Sequence, residues 1–248
     1  MQFPFMDRRP RVAVLRLSGL IAARTGGFSP SGISAAAMAP LIERAFRVKR
    51  LAGVMLIINS PGGSPVQSSL VAQRIRRLAD EIVVDPASVV GSIGVISSGF
   101  GLSEALARYG VERRLHTAGT EKSFLDPFRP ERPEDLARLE GLLSELHGTF
   151  KDWIRARRGA KLKAPEEQVF TGRFWTGRQA VELGLADRLG EASSEIKRRF
   201  GEKAQQVGIG ARRPPWPVRL LPGMSARAVA EDLFAVAEER AAWARLGL

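Results

Sequence analysis

Residues 56–67 read LIINSPGGSPVQ, and the rest of the chain is best understood outward from them. The apolar run Gly53–Ile58 (GVMLII) has no polar alternation, which predicts a strand covered on both faces. It ends in Asn59 and a Ser-Pro-Gly-Gly turn, and a helical pattern over Gln67–Ala79 follows, with Leu70, Ile75 and Leu78 on one side. Glycines at the end of a buried strand reach unusual φ/ψ values and let a ligand approach the main chain. Gly62 and Gly63 can therefore form an oxyanion hole, where losing one donor costs about 3–4 kcal/mol of transition-state stabilisation. A plain strand-to-helix turn with no ligand fits the same residues equally well. A phosphate loop does not, because Gly-Lys-Ser/Thr is missing.

The flanking segments repeat the strand–helix alternation. Val12–Ser18 reads as a strand, with the Gly-rich "RTGGFSPSG" beyond it. After the capping Ser34 comes a helical pattern, with Pro40 placing the helix start near Ala39. Ile82–Val84, Val89–Ile96 and Val111–His116 read as strands, and Ser103–Tyr109 as a helix closed by Gly110. The longest helix spans Pro133–Arg158, with acids first and bases last to suit the helix dipole. Thr176–Gln179 fits a capping box whose helix stops at Gly184. This alternation predicts an α/β fold with a largely parallel sheet. Composition divides the chain into an α/β domain over 1–200, a basic proline-rich connector over 201–224 and an amphipathic helix over 225–248.

The chain has 248 residues, a formal charge of +12 and no cysteine, which excludes disulfides, thiolate metal sites and cysteine nucleophiles. Arginine supplies 31 of the 38 basic residues, but the longest basic run is Lys197-Arg198-Arg199. Nucleic-acid recognition would need a basic stripe or a known module, so no nucleic-acid partner is expected. No signal-peptide pattern and no apolar stretch of membrane-spanning length occur, which predicts a cytoplasmic or membrane-peripheral protein. The tail around Arg212, Arg213, Trp216 and Arg219 suits peripheral contact with an anionic bilayer or packing on a neighbouring subunit.

Four ordered blocks, "INSPGGS", "DEIVVDPASVVGSIGVI", "TAGTEKSFLDPFRPERPED" and "VFTGRFWTGRQAVELGLADRLG", resemble the signal peptide peptidase A family, most nearly its SohB-like members. The resemblance runs from about Arg11 to Gly190. It implies a Clp protease/crotonase-like fold of stacked ββα units and a serine peptidase with a Ser–Lys dyad. It also implies peptide or unfolded-protein substrates, ring-forming subunits, and neither cofactor nor metal. By the same resemblance Gly62 and Gly63 flank the oxyanion site, and Lys122 is the general base. A lysine serves as a base only where burial lowers its pKa to about 7–8, and the apolar Phe124-Leu125 suits such burial.

The family's nucleophile lies in a block resembling Ala-Ser-Gly-Gly-Tyr, upstream of "DEIVVDP". Here "RIRRLA" passes directly into "DEIVVDP", and Ser-Gly-Gly occurs nowhere. One strand, a turn and a helix start are missing, about 20 residues or more by ordinary element lengths. No nucleophile is therefore assigned. Ser64 reads as a helix cap, Ser92 as structural, and Ser97 and Ser98 lack nucleophile-elbow spacing. His116 and His147 have no partner pattern, so no Ser-His-Asp triad is read. Either Ile82–Val84 slides into the vacated sheet position or the sheet is left incomplete. Three functions stay open: a peptidase-family member inactive alone, a non-catalytic ring subunit that complements or inhibits a full-length homologue, and crotonase-like acyl-thioester chemistry. The expected assembly is a homo-oligomer or a mixed ring with a homologue.

Overall fold

A computed structural model describes residues 9–23, 32–75, 81–119, 121–210 and five helical residues between 237 and 244. Most of the expected connector and terminal helix, the Gly-rich loop after Ala23 and the Ala79–Asp80 junction lie outside the described residues. The chain divides into two units, Met1–Val83 with Gly190–Leu248, and Val84–Leu189.

The first unit opens with β1 (Arg11–Ser18), β2 (Leu20–Ile21), β3 (Gly32–Ile33), α1 (Ala35–Phe46), β4 (Leu51–Asn59) and α2 (Pro65–Ile75). β5 (Val83–Val84) falls on the boundary, and the second unit continues through β6 (Val89–Gly91), α3 (Ser103–Arg108), α4 (Pro133–Arg158), α5 (Glu166–Val169), β7 (Phe174–Thr176), α6 (Gly177–Glu182) and β8 (Arg188–Leu189). The chain returns to the first unit as α7 (Ala192–Phe200) and β9 (Gln205–Ile209).

In the first unit β1 is the central strand of a parallel sheet ordered β4-β1-β9. Side-chain alternation sends Leu15 and Leu17 to one face, where they meet Met38, Ile42 and Val71 of α1 and α2. Val12 and Val14 point to the other face and meet Ile196 of α7. Helices on both faces explain why β1 reads as a nearly continuous apolar run. Truncating Leu15 to alanine removes a side chain with no solvent exposure and costs about 2–5 kcal/mol. β9 lies inside the span that composition marks as a connector, yet it pairs with β1 over Arg11–Leu15.

β4 corrects an expectation. Its composition predicts cover on both faces, but none of its nine residues is buried. Ile82–Val84 does not fill the position beside it. β5 belongs to a separate two-stranded sheet with β8, so among the described residues the outer edge of β4 has no partner strand. α1 also differs from expectation, starting at Ala35 with Pro40 inside it. Ser34 caps the first turn by accepting the Ala37 N–H at 3.2 Å, and Met38 anchors that turn in the core. The carbonyl that Pro40 leaves without a helical partner belongs to Ala36, on the exposed side.

The second unit packs around Ile93, Val169, Phe170, Ala180, Leu185 and Ala186. α4 runs unbroken through Gly141 and Gly148, and its buried Arg158 donates to the Gly184 carbonyl at 2.6 and 3.1 Å and to Asp187 at 2.8 Å. The expected capping box on α6 is present, with Gln179 N–H donating to Thr176 and the Gln179 side chain accepting the Thr176 N–H. Of the expected strand Val89–Ile96 only Val89–Gly91 pairs, antiparallel to β7. Val111–His116 forms no strand. A strand exists only where a neighbour takes up its backbone groups, and none does so among the described residues.

Candidate functional site

The glycine turn is built by the first unit alone. β4 delivers Asn59 to the turn, Ser64 caps α2 by accepting the Gln67 N–H at 3.4 Å, and Pro65 occupies the first helical position. Ser64 therefore has the capping role read from the sequence. Gly62 and Gly63 have φ of 98° and 141°, where glycine alone is unstrained. Ile21 of β2 binds both sides of the turn: its N–H donates to the Gly62 carbonyl at 2.8 Å, and its carbonyl accepts the Ser64 N–H at 2.7 Å. The Gly62 N–H donates to Ser60 Oγ at 3.2 Å. The Gly63 N–H makes no hydrogen bond among the described residues, because the bridge to Ile21 uses the groups on either side of it. A free donor next to a closely approachable main chain can hold an anionic oxygen. No local pattern signals the Ile21 clamp, since the pairing is non-local.

Lys122 lies in the second unit, in a turn over residues 121–125. Its N–H donates to the Gly119 carbonyl at 3.3 Å. Contacts from α4 and from Arg113 and Arg132 hold the turn. Arg138 pairs with Glu121 and lies over the Phe124 ring, and Arg113 pairs with Asp126 at 3.4 Å. Leu125, at φ 50°, donates its N–H to Asp135 at 3.4 Å. Arg132 donates twice to the same buried carboxylate, at 2.6 and 3.0 Å. The Arg132 hydrogen bond holds Asp135 below the usual carboxylate range and raises Arg132 in turn. The sequence marked this block by its likeness to a family but not the Arg132–Asp135 clamp that fixes it.

The side chain of Lys122 is exposed and makes no ion pair among the described residues. The burial expected from Phe124 and Leu125 is not supplied. Phe124, under Arg138, and Leu125, bonded to Asp135 of α4, are themselves half-buried, while Lys122 is exposed. Ser92 is a positive-φ residue at 53° whose N–H donates to the Arg173 carbonyl at 2.7 Å, a structural role. Ser97 and Ser98 are exposed outside regular structure. His147 makes a 3.0 Å hydrogen bond with the Ile93 carbonyl, and His116 is exposed. Among the described residues no His, Cys, Asp and Glu grouping is arranged to hold a metal ion, and no helix is long and apolar enough to cross a membrane.

Comparison with known proteins places these features in a family. Residues 71–206 match the model of Peptidase family S49, a span that includes Lys122 and begins after Gly62 and Gly63. A Na(+)/H(+) antiporter NhaA of Brucella abortus is 41% identical over 275 positions, covering 96% of this chain and 37% of that protein. This chain therefore spans little more than a third of that relative's length. Since 275 aligned positions exceed the 248 residues here, at least about 27 positions of the relative have no counterpart in this chain. A putative protease of Synechocystis is 28% identical over 215 residues, covering 77% of this chain and 74% of that protein. A putative signal peptide peptidase SppA of Enterococcus faecium is 25% identical over 173 residues, covering 60% and 50%. A solved structure of a membrane-bound stomatin-specific protease mutant shares 11% identity and a TM-score of 0.46, covering 82% of this chain and 99% of that one. The α/β architecture with a parallel sheet is the fold class expected from the sequence. A family match over more than half of the sequence makes this chain a member of Peptidase family S49.

Proposed function

We propose that this S49 member keeps the anion-holding turn at Gly62 and Gly63 and the lysine at Lys122 but has no serine nucleophile, so that alone it does not hydrolyse peptides. The observation that carries the reading is the surplus of at least about 27 positions in the 41%-identical relative. That is the length of a strand, a turn and a helix start. A chain with no Ser-Gly-Gly and, among the described residues, no strand on the outer edge of β4 is what the loss of those elements would leave. Acyl transfer by a Ser–Lys dyad needs a hydroxyl in reach of a desolvated amine. The exposed Lys122 supports a second half of the reading, in which this chain lends its lysine to a neighbouring subunit that supplies the hydroxyl and the burial. The chain then forms a homo-oligomer with no activity of its own, or acts as a non-catalytic member of a mixed ring with a full-length homologue that degrades peptides or unfolded proteins.

Turnover of a fluorogenic unfolded substrate tests this. The purified chain is expected to give none. Mixed with an intact homologue it changes that enzyme's activity, and Lys122→Ala abolishes the change. Hydrolysis by the chain alone that Lys122→Ala removes overturns the proposal. So does a gene that encodes Ser-Gly-Gly between the codons for Ala79 and Asp80.

A specific observation favours work at a membrane surface, on the cytoplasmic side or peripherally. Two relatives, each 41% identical, carry the name of a Na(+)/H(+) antiporter, and this chain has a charge of +12. An excess of arginine draws a protein to anionic lipid and is screened by salt. Co-sedimentation with phosphatidylserine vesicles, lost at high salt and absent with neutral vesicles, is the expected result. Equal recovery with neutral vesicles contradicts it.

A further inference from the structure

β4 is composed as a central strand but sits at an edge. Its nine residues, LAGVMLIIN, contain no charge and no proline, two features that protect natural edges from pairing. β1, of the same apolar character, buries Val12, Ala13, Val14, Leu15 and Leu17, whereas no residue of β4 is buried. Among the described residues no strand lies on the outer edge of β4. Cover beside the strand is thin as well. Ile42, Phe46, Val54, Leu56 and Ile75 line an apolar hollow, and Phe46 and Ile58 are 42% and 64% exposed.

We propose that this edge pairs with the same edge of a second copy of the chain, β4 against β4, antiparallel about a two-fold axis at Met55. Self-complementarity selects that occupant. Antiparallel pairing about Met55 sets Val54 opposite Leu56 of the second copy, Gly53 opposite Ile57 and Leu51 opposite Asn59, so apolar side chains meet on both faces. Charge selects the direction. The approach to β4 carries Arg47, Lys49 and Arg50, while the exit, Ser60–Ser64, carries none. The two-fold axis puts each basic approach beside the other copy's neutral turn, about 30 Å from its like at 3.4 Å per residue. A parallel partner would align the two cationic runs. The contact is isologous and closes at two copies, joining the sheets as β9-β1-β4-β4-β1-β9. This gives the proposed self-association a defined surface and does not depend on the fate of the nucleophile.

Light scattering on the size-fractionated full chain is expected to give the mass of a dimer, or of an even assembly built from dimers. Ile58→Lys brings a cation toward the basic approach of the second copy and should weaken the dimer at least tenfold. Ile58→Glu should preserve it, with affinity falling as salt rises. Position 58 is exposed, and circular dichroism checks that both variants fold. The chain has no cysteine, so Met55→Cys introduces a single thiol at the axis. Opposed Cα atoms there are within disulfide range, and diamide should yield a covalent dimer, whereas Lys203→Cys should not. A wild-type monomer at all concentrations overturns the proposal. So does an assembly unchanged by Ile58→Lys, or a failure of Met55→Cys to cross-link. None of these readouts involves peptide hydrolysis, so this proposal and the functional one fail separately.

Discussion

The carbonyl oxygen of Ile21 occupies the place that a β-carbon on Gly63 would need. The same carbonyl accepts the Ser64 N–H, so it cannot withdraw without breaking the bridge that fixes the turn. Gly62, one residue earlier, faces open space. Both have positive φ, so alanine at either position carries left-handed strain of about 1–2 kcal/mol. Only Gly63→Ala adds a backbone clash, about 1–3 kcal/mol more. Urea unfolding should therefore rank Gly63→Ala as clearly less stable than Gly62→Ala. Equal losses would mean that Ile21 does not clamp the turn.

The Lys122 turn hangs on one buried carboxylate. Asp135 is held below the usual carboxylate range mainly by the hydrogen bond from Arg132. A group whose folded pKa is depressed stabilises fully above its unfolded pKa and loses that contribution as pH falls through the folded value. Asp135→Asn should melt below wild type at pH 7, and the gap in Tm should close as pH drops below about 4, the unfolded carboxylate range. A gap independent of pH down to acid unfolding would contradict this assignment.

Glu112 through His116 make no backbone hydrogen bond among the described residues, although the sequence has strand character there. Hydrogen exchange is expected to label these amides close to the rate of an unfolded chain, while the interior of α4 stays protected. Slow exchange over 112–116 in a verified monomer would show that a strand partner exists.

The α6 capping box satisfies two otherwise unpaired N–H groups reciprocally. Thr176→Ala should cost about 1 kcal/mol in chemical unfolding. An unchanged midpoint would show that α6 is held by the packing of Ala180 alone.

Local chemistry was readable in the sequence and non-local pairing was not. The Ser34 cap, the Thr176 box, the Gly110 and Gly184 stops and the full length of α4 each depend on residues within a few positions of one another, and the structure has all of them. Pro40 misplaced the start of α1 because the buried Met38 outweighs one lost hydrogen bond. The likeness of the TAGTEKS block picked out Lys122 but could not foresee its exposure, which depends on how Arg138 and α4 draw in the neighbouring apolar residues. Strand character at Val111–His116 and full cover of β4 failed for one reason. Composition records the apolar preference of a segment, whereas a strand also needs a partner that no local pattern reveals.

On the proposed function this peptidase-family chain has no activated hydroxyl. Intact-mass measurement after treatment with a fluorophosphonate, which phosphonylates activated serines, tests it most directly. Wild type and Lys122→Ala alike are expected to keep an unmodified mass. A single stoichiometric adduct on wild type, absent from Lys122→Ala, would contradict it.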